Sequence, residues 1–246
     1  MLNIYRTGAM KDLNKEDQEY NPHFKENQIK LFKHHLFVGG TGLGKTNAVI
    51  NLILALDGCF RNIQIYTADP SEKLYKMLKD KLKDKITIEE IHKIPKYSTQ
   101  QKNGQQLLVV DDFIEQPKAI LQRIEEYATQ ARKKLFTCCF LTQSYFDCPK
   151  KIRLQIRYIV LLKLCDKRNF GAIVSGLDTD IPNEIIRKII KNATAEDLNI
   201  CVIDKQTKDI NKLFRRNYGT DYYIVEDATG NEIDNVEMFH GSGIIN

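Results

Sequence analysis

No stretch of this 246-residue chain approaches the ~18 consecutive apolar residues that a membrane span requires. The opening MLNIYRTGAMKDLNKEDQEY has no apolar core of the kind a secretory leader carries. Neither a membrane anchor nor secretion is therefore expected. The six cysteines, Cys59, Cys138, Cys139, Cys148, Cys165 and Cys201, include no C-x-x-C pair. A chain this long does not need disulfides to hold a core, so reduced thiols in a cytosol-like compartment are expected. His34 and His35 have no partner Cys or His at zinc spacing, and no structural metal is expected. There is no internal repeat. Neither sign of charge dominates: 37 Lys and Arg against 32 Asp and Glu give +5, with a pI near 8.7. That balance permits a polyanionic partner without demanding one.

What is present is an ordinary globular mixture, 42% hydrophobic and 28% charged, which excludes a wholly disordered or collagen-like chain. At ~100 to 200 residues per domain, the length allows one large domain or two small ones. Residues 1–28 are polar and irregular and read as an N-terminal extension. Beyond them, short apolar runs suited to buried parallel strands fall at 31–38, 62–67, 107–110, 135–142, 157–164 and 199–203. Helix-period segments separate them: 45–57 closed by Gly58, 71–85 with Leu74, Leu78 and Leu82 on one face, 115–134, and 183–192 opened by Pro182. Residues 95–106 read as a polar surface loop. Such alternation predicts an α/β fold, a mainly parallel central sheet with right-handed crossovers and flanking helices.

The strongest signal is Gly39-Gly40-Thr41-Gly42-Leu43-Gly44-Lys45-Thr46, followed by Asn47, a complete G-x-x-x-x-G-K-T between an apolar strand and a helix. Glycines let the backbone turn its N–H groups toward phosphate oxygens, and the helix adds the positive end of its dipole. Lys45 is placed for the β- and γ-phosphates and the Thr46 hydroxyl for Mg²⁺. Downstream, Leu107-Leu108-Val109-Val110-Asp111-Asp112 carries two carboxylates out of a buried strand. Asp111 fits the Mg²⁺ side of the site and Asp112 the attacking water. A GTPase would need Asp-x-x-Gly at this second motif and Asn-Lys-x-Asp after it. Ile114 stands at the third position after Asp111, and the Asn14-Lys15-Glu16-Asp17 match precedes the phosphate loop. ATP is the expected nucleotide.

A third cluster follows: Ala131-Arg132-Lys133-Lys134, a strand, then Thr142-Gln143-Ser144. In additional-strand NTPases an inserted strand stands beside the phosphate-loop strand, and a Gln at its tip can report loss of the γ-phosphate.

The order GGTGLGKT, LLVVDD, ARKK and FLTQSYFDCPKKIR over about residues 30–216 resembles the FtsK/HerA superfamily, and within it the poxvirus-type DNA-packaging ATPases of large DNA viruses and virophages. The resemblance implies an additional-strand (ASCE), RecA-like P-loop NTPase domain over 29–216, assembled as a homo-oligomeric ring, hexamer or pentamer. It implies ATP-driven translocation of double-stranded DNA into a capsid, with ATP and Mg²⁺ as cofactors and DNA and capsid components as partners. The setting would be the host cytoplasm, at a virus factory, or the virion. Carried over residue by residue, Lys45 and Thr46 belong to Walker A, Asp111 and Asp112 to Walker B, Gln143 is the sensor and Arg132 the arginine finger acting in trans. Asp112 departs from the Asp-Glu of many relatives, and its shorter side chain leaves the water about one methylene further away.

Residues 132–157 hold Arg132, Lys133, Lys134, Lys150, Lys151, Arg153 and Arg157 against Asp147 alone, a patch suited to phosphate contacts or to simple solvation. From Gly219 onward Asp221, Glu226, Asp227, Glu232, Asp234 and Glu237 meet no Lys or Arg, so 217–246 reads as an acidic tail or hairpin. Two other readings share the phosphate loop. One is a nucleoside or small-molecule kinase, although no arginine-rich lid or acceptor pocket is identifiable. The other is a nucleotide-gated assembly factor that does not translocate.

Overall fold

The computed structural model describes residues 17–163, 166–226, 232–240 and 243–245. Most of the expected N-terminal extension, Leu164, Cys165 and Asp227 lie outside the described residues.

The strands are β1 (His34–Val38), β2 (Asn62–Thr67), β3 (Ile86–Glu90), β4 (Gln106–Asp111), β5 (Phe136–Thr142), β6 (Ile156–Leu161), β7 (Cys201–Asp204), β8 (Phe214–Arg216), β9 (Asp221–Glu226), β10 (Glu232–His240) and β11 (Gly243–Ile245). Among the described residues they form one sheet in the order β11-β10-β9-β8-β7-β6-β1-β5-β4-β2-β3. From β6 to β3 every neighbour is parallel; from β6 outward through β11 every pairing is antiparallel. The sheet therefore continues past residue 216, and the expected acidic hairpin includes paired strands.

Alternation along the strands splits the core into two layers. Leu36, Val38, Leu108, Val110, Cys138 and Phe140 face one side; Phe37, Leu107, Val109, Cys139 and Leu141 face the other. Short helices α1 (Asp17–Tyr20) and α2 (Phe24–Asn27) precede the sheet, and α6 (Lys150–Arg153) precedes β6. The first layer is covered by α5 (Lys118–Gln130), α7 (Lys167–Val174) and α8 (Asn183–Ala193), through residues such as Ile124, Ile173 and Ile189. The second is covered by α3 (Lys45–Ala55) and α4 (Lys73–Leu82), through Val49, Leu52, Tyr75 and Leu78. Because both faces are covered, the central strands read as continuous apolar runs.

Several expectations shift. The strand expected from Leu31 starts at His34, because Phe32 adopts φ 58° and turns its N–H to the Thr137 hydroxyl at 2.9 Å. The helix expected over 115–134 begins after Pro117 and tightens to a 3₁₀ turn at Ala131–Lys134, closed by Leu135 at φ 61°. The run at 199–203 becomes β7, which is antiparallel to β6, not parallel. The 95–106 segment holds a 3₁₀ turn with Tyr97 buried, its hydroxyl donating to the Gln130 carbonyl at 2.8 Å. Near the N-terminus, Asn21 is buried and donates to Asn27 and to the Ile29 carbonyl, while Asn27 donates to the Ala55 carbonyl. These residues are thereby tied to the core at the C-terminal end of α3.

Candidate nucleotide site

The parallel strands β1, β5 and β4 are adjacent and in register, with Val38 opposite Thr142 and Asp111 opposite Leu141. Their C-terminal ends therefore present the Gly39–Thr46 loop, Gln143 and the Asp111–Asp112 pair along one edge. These segments, far apart in sequence, meet here because β5 stands between β1 and β4 with all three strands parallel.

The loop leaves β1 through Gly39, whose N–H donates to the Thr142 carbonyl at 3.1 Å. A Cβ at Gly39 would stand 3.0 Å from Leu162 Cβ. Gly44, the residue before α3, has φ 90°, a left-handed backbone that favours glycine. The tip of Leu198 would also lie 2.8 Å from a Cβ added there. Thr41, Gly42 and Leu43 are exposed, and Asn47 is half-buried on the first turn of α3. Lys45 is buried and folds back over the loop, its Nζ donating to the Gly39 carbonyl at 3.0 Å and to the Gly40 carbonyl at 3.4 Å. The ammonium thus sits inside the curl of backbone that would surround a phosphate.

Asp111 is 7% exposed. Its Oδ2 accepts a 2.8 Å hydrogen bond from the Tyr75 hydroxyl and a 3.5 Å contact from the Thr67 hydroxyl. Burial pushes its carboxyl up to about 6; Asp112 and Glu72 add to the push, while Tyr75 and Lys45 oppose it. Thr46 Oγ1 faces Glu72 Oε2 at 3.4 Å. Asp112 is exposed and held at φ 48°, which turns its side chain away from the strand line. It lines a cleft of about 460 Å³ with Ala68, Glu115, Gln143, Ser144 and Asp147. Gln143 and Asp112 therefore share one wall system, beside the loop.

The Gln143 tip is anchored from below. Thr142 Oγ1 accepts from the Ser144 N–H at 3.1 Å. Asn169 of α7 accepts from the Ser144 hydroxyl at 3.1 Å and from the Phe146 N–H at 2.9 Å. Asp166 in turn holds the Asn169 amide at 2.7 Å. Neither Asn169 nor Tyr75 was singled out from the sequence, since a lone Asn and a helix-face Tyr carry no motif.

Arg132 is not part of this edge. It is exposed in the 3₁₀ turn that precedes β5, at the opposite end of the strand from Gln143. The basic window 132–157 is also partly consumed inside the fold. Lys134 Nζ donates to the carbonyls of Tyr97, Ser98 and Gln100. Lys151 pairs with Glu125 at 3.0 Å, and the buried Arg157 pairs with Asp204 at 2.6 Å. Arg132, Lys133, Lys150 and Lys151 are exposed, Lys151 with its charge paired to Glu125 at the surface.

No family model matches the sequence, and no curated protein matches it. Solved structures do. The DNA-packaging ATPase B204 from Sulfolobus Turreted Icosahedral Virus superposes with a TM-score of 0.52 at 13% identity, covering 77% of this chain and 98% of that one. The genome packaging NTPase B204 from Sulfolobus turreted icosahedral virus 2, in complex with ATP-gammaS, gives 0.55 at 14%, covering 75% and 96%. The same protein in complex with sulfate gives 0.54 at 14%, covering 77% and 97%. This chain has their additional-strand P-loop fold. Nearly the whole of each viral protein is spanned. Among the described residues no helix is long and apolar enough to cross a membrane.

Proposed function

We propose that this protein is an ATP-hydrolysing motor that translocates double-stranded DNA into a viral capsid. The observation that carries the reading is the meeting of the Gly39–Thr46 loop, Asp111 and Gln143 on three adjacent parallel strands, in a fold shared with viral genome-packaging NTPases. Residues 29–216 form the ATPase domain in this reading, with 1–28 and 217–246 as flanking segments.

The backbone N–H groups of Gly40 to Thr46, with Asn47 in the first helical turn, hold the phosphates. Lys45 leaves the Gly39 and Gly40 carbonyls and turns to the β- and γ-oxygens, keeping its charge inside the same curl. The donor set around Thr46 and Asp111 is all oxygen, which suits Mg²⁺. Among the described residues no group of three or more His, Cys, Asp and Glu could hold a metal. Mg²⁺ at nucleotide sites is commonly held by one or two protein oxygens besides phosphates and water. When bound it would supply neutralisation of phosphate charge. Asp112 orients the attacking water across the cleft it shares with Gln143, and Gln143 reads the presence of the γ-phosphate. Arg132, on the far edge of its own sheet, serves the neighbouring subunit of a homo-oligomeric ring. Duplex DNA, capsid components and a site of virion assembly in the host cytoplasm complete the reading.

The test is ATP turnover with and without duplex DNA, followed by displacement of a triplex-forming strand from linear DNA. DNA-stimulated turnover with strand displacement supports the motor. Turnover stimulated by a nucleoside and not by DNA would replace it with a kinase. Nucleotide-dependent assembly without displacement would replace it with a gated assembly factor.

A further inference from the structure

Both proposed Mg²⁺ ligands are approached by α4, an element that no motif marks. Tyr75 is fully buried, and its hydroxyl donates to Asp111 Oδ2 at 2.8 Å, an ordinary O–H···O distance. One turn earlier Glu72, the residue preceding the helix, places Oε2 3.4 Å from Thr46 Oγ1. The Tyr75 hydroxyl also neighbours Thr46, so Thr46, Glu72, Tyr75 and Asp111 form one contiguous polar cluster between α3, α4 and β4. A metal-ligating hydroxyl uses a lone pair for the cation and keeps its proton, which needs an acceptor; Glu72 faces it. A ligating carboxylate needs one oxygen pinned so that the other points at the metal, and the pin on Asp111 is Tyr75.

The geometry points to α4 as the outer support of the metal site: Tyr75 is a positioning residue that fixes the Asp111 carboxylate, and Glu72 one that orients the Thr46 hydroxyl. This deepens the ATPase reading and rests on it. The assignment differs from that of Asp112, which faces the cleft with Gln143 and lies outside this cluster. Tyr75 and Glu72 touch neither phosphate nor water in this scheme. Their loss should therefore act on Mg²⁺ occupancy and leave the hydrolytic step intact once the metal is in place.

The experiment titrates Mg²⁺ into the full-length chain holding a fluorescent ATP analogue, for wild type, Tyr75→Phe, Glu72→Gln and Glu72→Ala. Nucleotide affinity without metal and melting temperature are measured in parallel. Tyr75→Phe keeps the buried ring and removes only the hydroxyl. It is expected to raise the Mg²⁺ midpoint by about 10- to 100-fold, the usual effect of an outer-shell partner. Glu72→Ala should raise it by at least about tenfold, and Glu72→Gln, which keeps an acceptor oxygen, by less. Turnover in all three variants should return toward wild type at saturating Mg²⁺, and metal-free nucleotide affinity should stay within a few fold. A wild-type midpoint in both Tyr75→Phe and Glu72→Ala overturns the positioning role while leaving the ATP site standing. A wild-type protein that binds no nucleotide at any Mg²⁺ concentration overturns the ATPase reading and this assignment with it.

Discussion

Arg132 and Gln143 flank the same strand from opposite ends, the seven residues of β5 separating an exposed guanidinium from the tip beside the phosphate loop. At ~3.3 Å per residue that is over 20 Å, so within one chain Arg132 does not reach the nucleotide. In the proposed ring it would serve a neighbour. Arg132→Ala is expected to bind ATP normally and to lose hydrolysis by about 10³- to 10⁵-fold, the range for an arginine finger. Mixing it with Lys45→Ala subunits should restore partial turnover, because a boundary can then pair an intact loop with an intact finger. Dead mixed rings, with native mass spectrometry showing that the subunits do mix, would remove the trans role.

Lys45 does two things at once in this geometry: it holds two loop carbonyls and stands ready for phosphate. Lys45→Ala should lower turnover by at least about a hundredfold with the sheet intact by circular dichroism. Turnover within a few fold of wild type would refute the site.

The two adjacent aspartates sit in unlike places, Asp111 buried under Tyr75 and Asp112 exposed on the cleft. Asp112→Asn should keep nucleotide affinity and stop hydrolysis, whereas Asp111→Asn should weaken Mg²⁺-dependent binding itself. Isothermal titration with and without Mg²⁺ separates them, and an equal loss of binding in both would mean that they share one role.

Within the basic window the side chains divide by what they touch. Lys133→Ala and Lys150→Ala, both exposed, should each lower the salt slope of DNA binding by about one unit or less without changing the melting temperature. Arg157→Ala breaks a buried pair with Asp204 and is expected to cost roughly 3–5 kcal/mol of stability. Unchanged DNA affinity in a Lys133, Lys150 double variant would move the contact surface elsewhere.

Acid should weaken the fold through β1. Burial lowers the His34 pKa to about 4, and burial together with Arg215, His34 and Arg157 holds His35 well below its ordinary value. Both are neutral in the folded state and take up protons on unfolding below about pH 6.5, so stability is complete above that pH and falls as pH drops toward 4. For His34 the loss across that window is on the order of 3 kcal/mol. Among the described residues neither ring nitrogen of His35 has a hydrogen-bond partner, and the ring stacks on Tyr158 at 4.6 Å. His35→Phe should therefore be at least as stable at pH 7 and lose less stability on acidification in urea titrations. An unchanged pH slope would show that His35 does not titrate on unfolding.

The phosphate loop, the Asp-Asp strand end and the Gln tip were legible because each joins a run of apolar residues to polar ones at a strand end, where chain direction alone fixes the edge. The antiparallel strands β8 to β11 were not. Phe214–Arg216 is too short to show alternation, and Asp221–Glu226 sets a four-residue apolar run between two acids in a stretch that otherwise reads as solvated. Strand β3 was hidden by its charge, since Ile86–Glu90 lies at the sheet edge with only Ile86 buried. Tyr75 was hidden by periodicity. It occupies the apolar face of α4 beside Leu78, and only the fold shows that its hydroxyl ends on Asp111.

The loop's glycines look interchangeable in sequence, yet they would drift differently through evolution. Gly44 is excluded from other residues by its own backbone angle, so trimming Leu198 would not license a side chain there. Gly39 has no such angle; what opposes it is Leu162, just past the end of the neighbouring strand β6. Among homologues position 39 is free to covary with 162, a small residue gained at one as bulk is lost at the other, while position 44 should stay glycine whatever surrounds it. A pairwise library over 39 and 162 would expose that coupling, and the same library over 44 and 198 would return none.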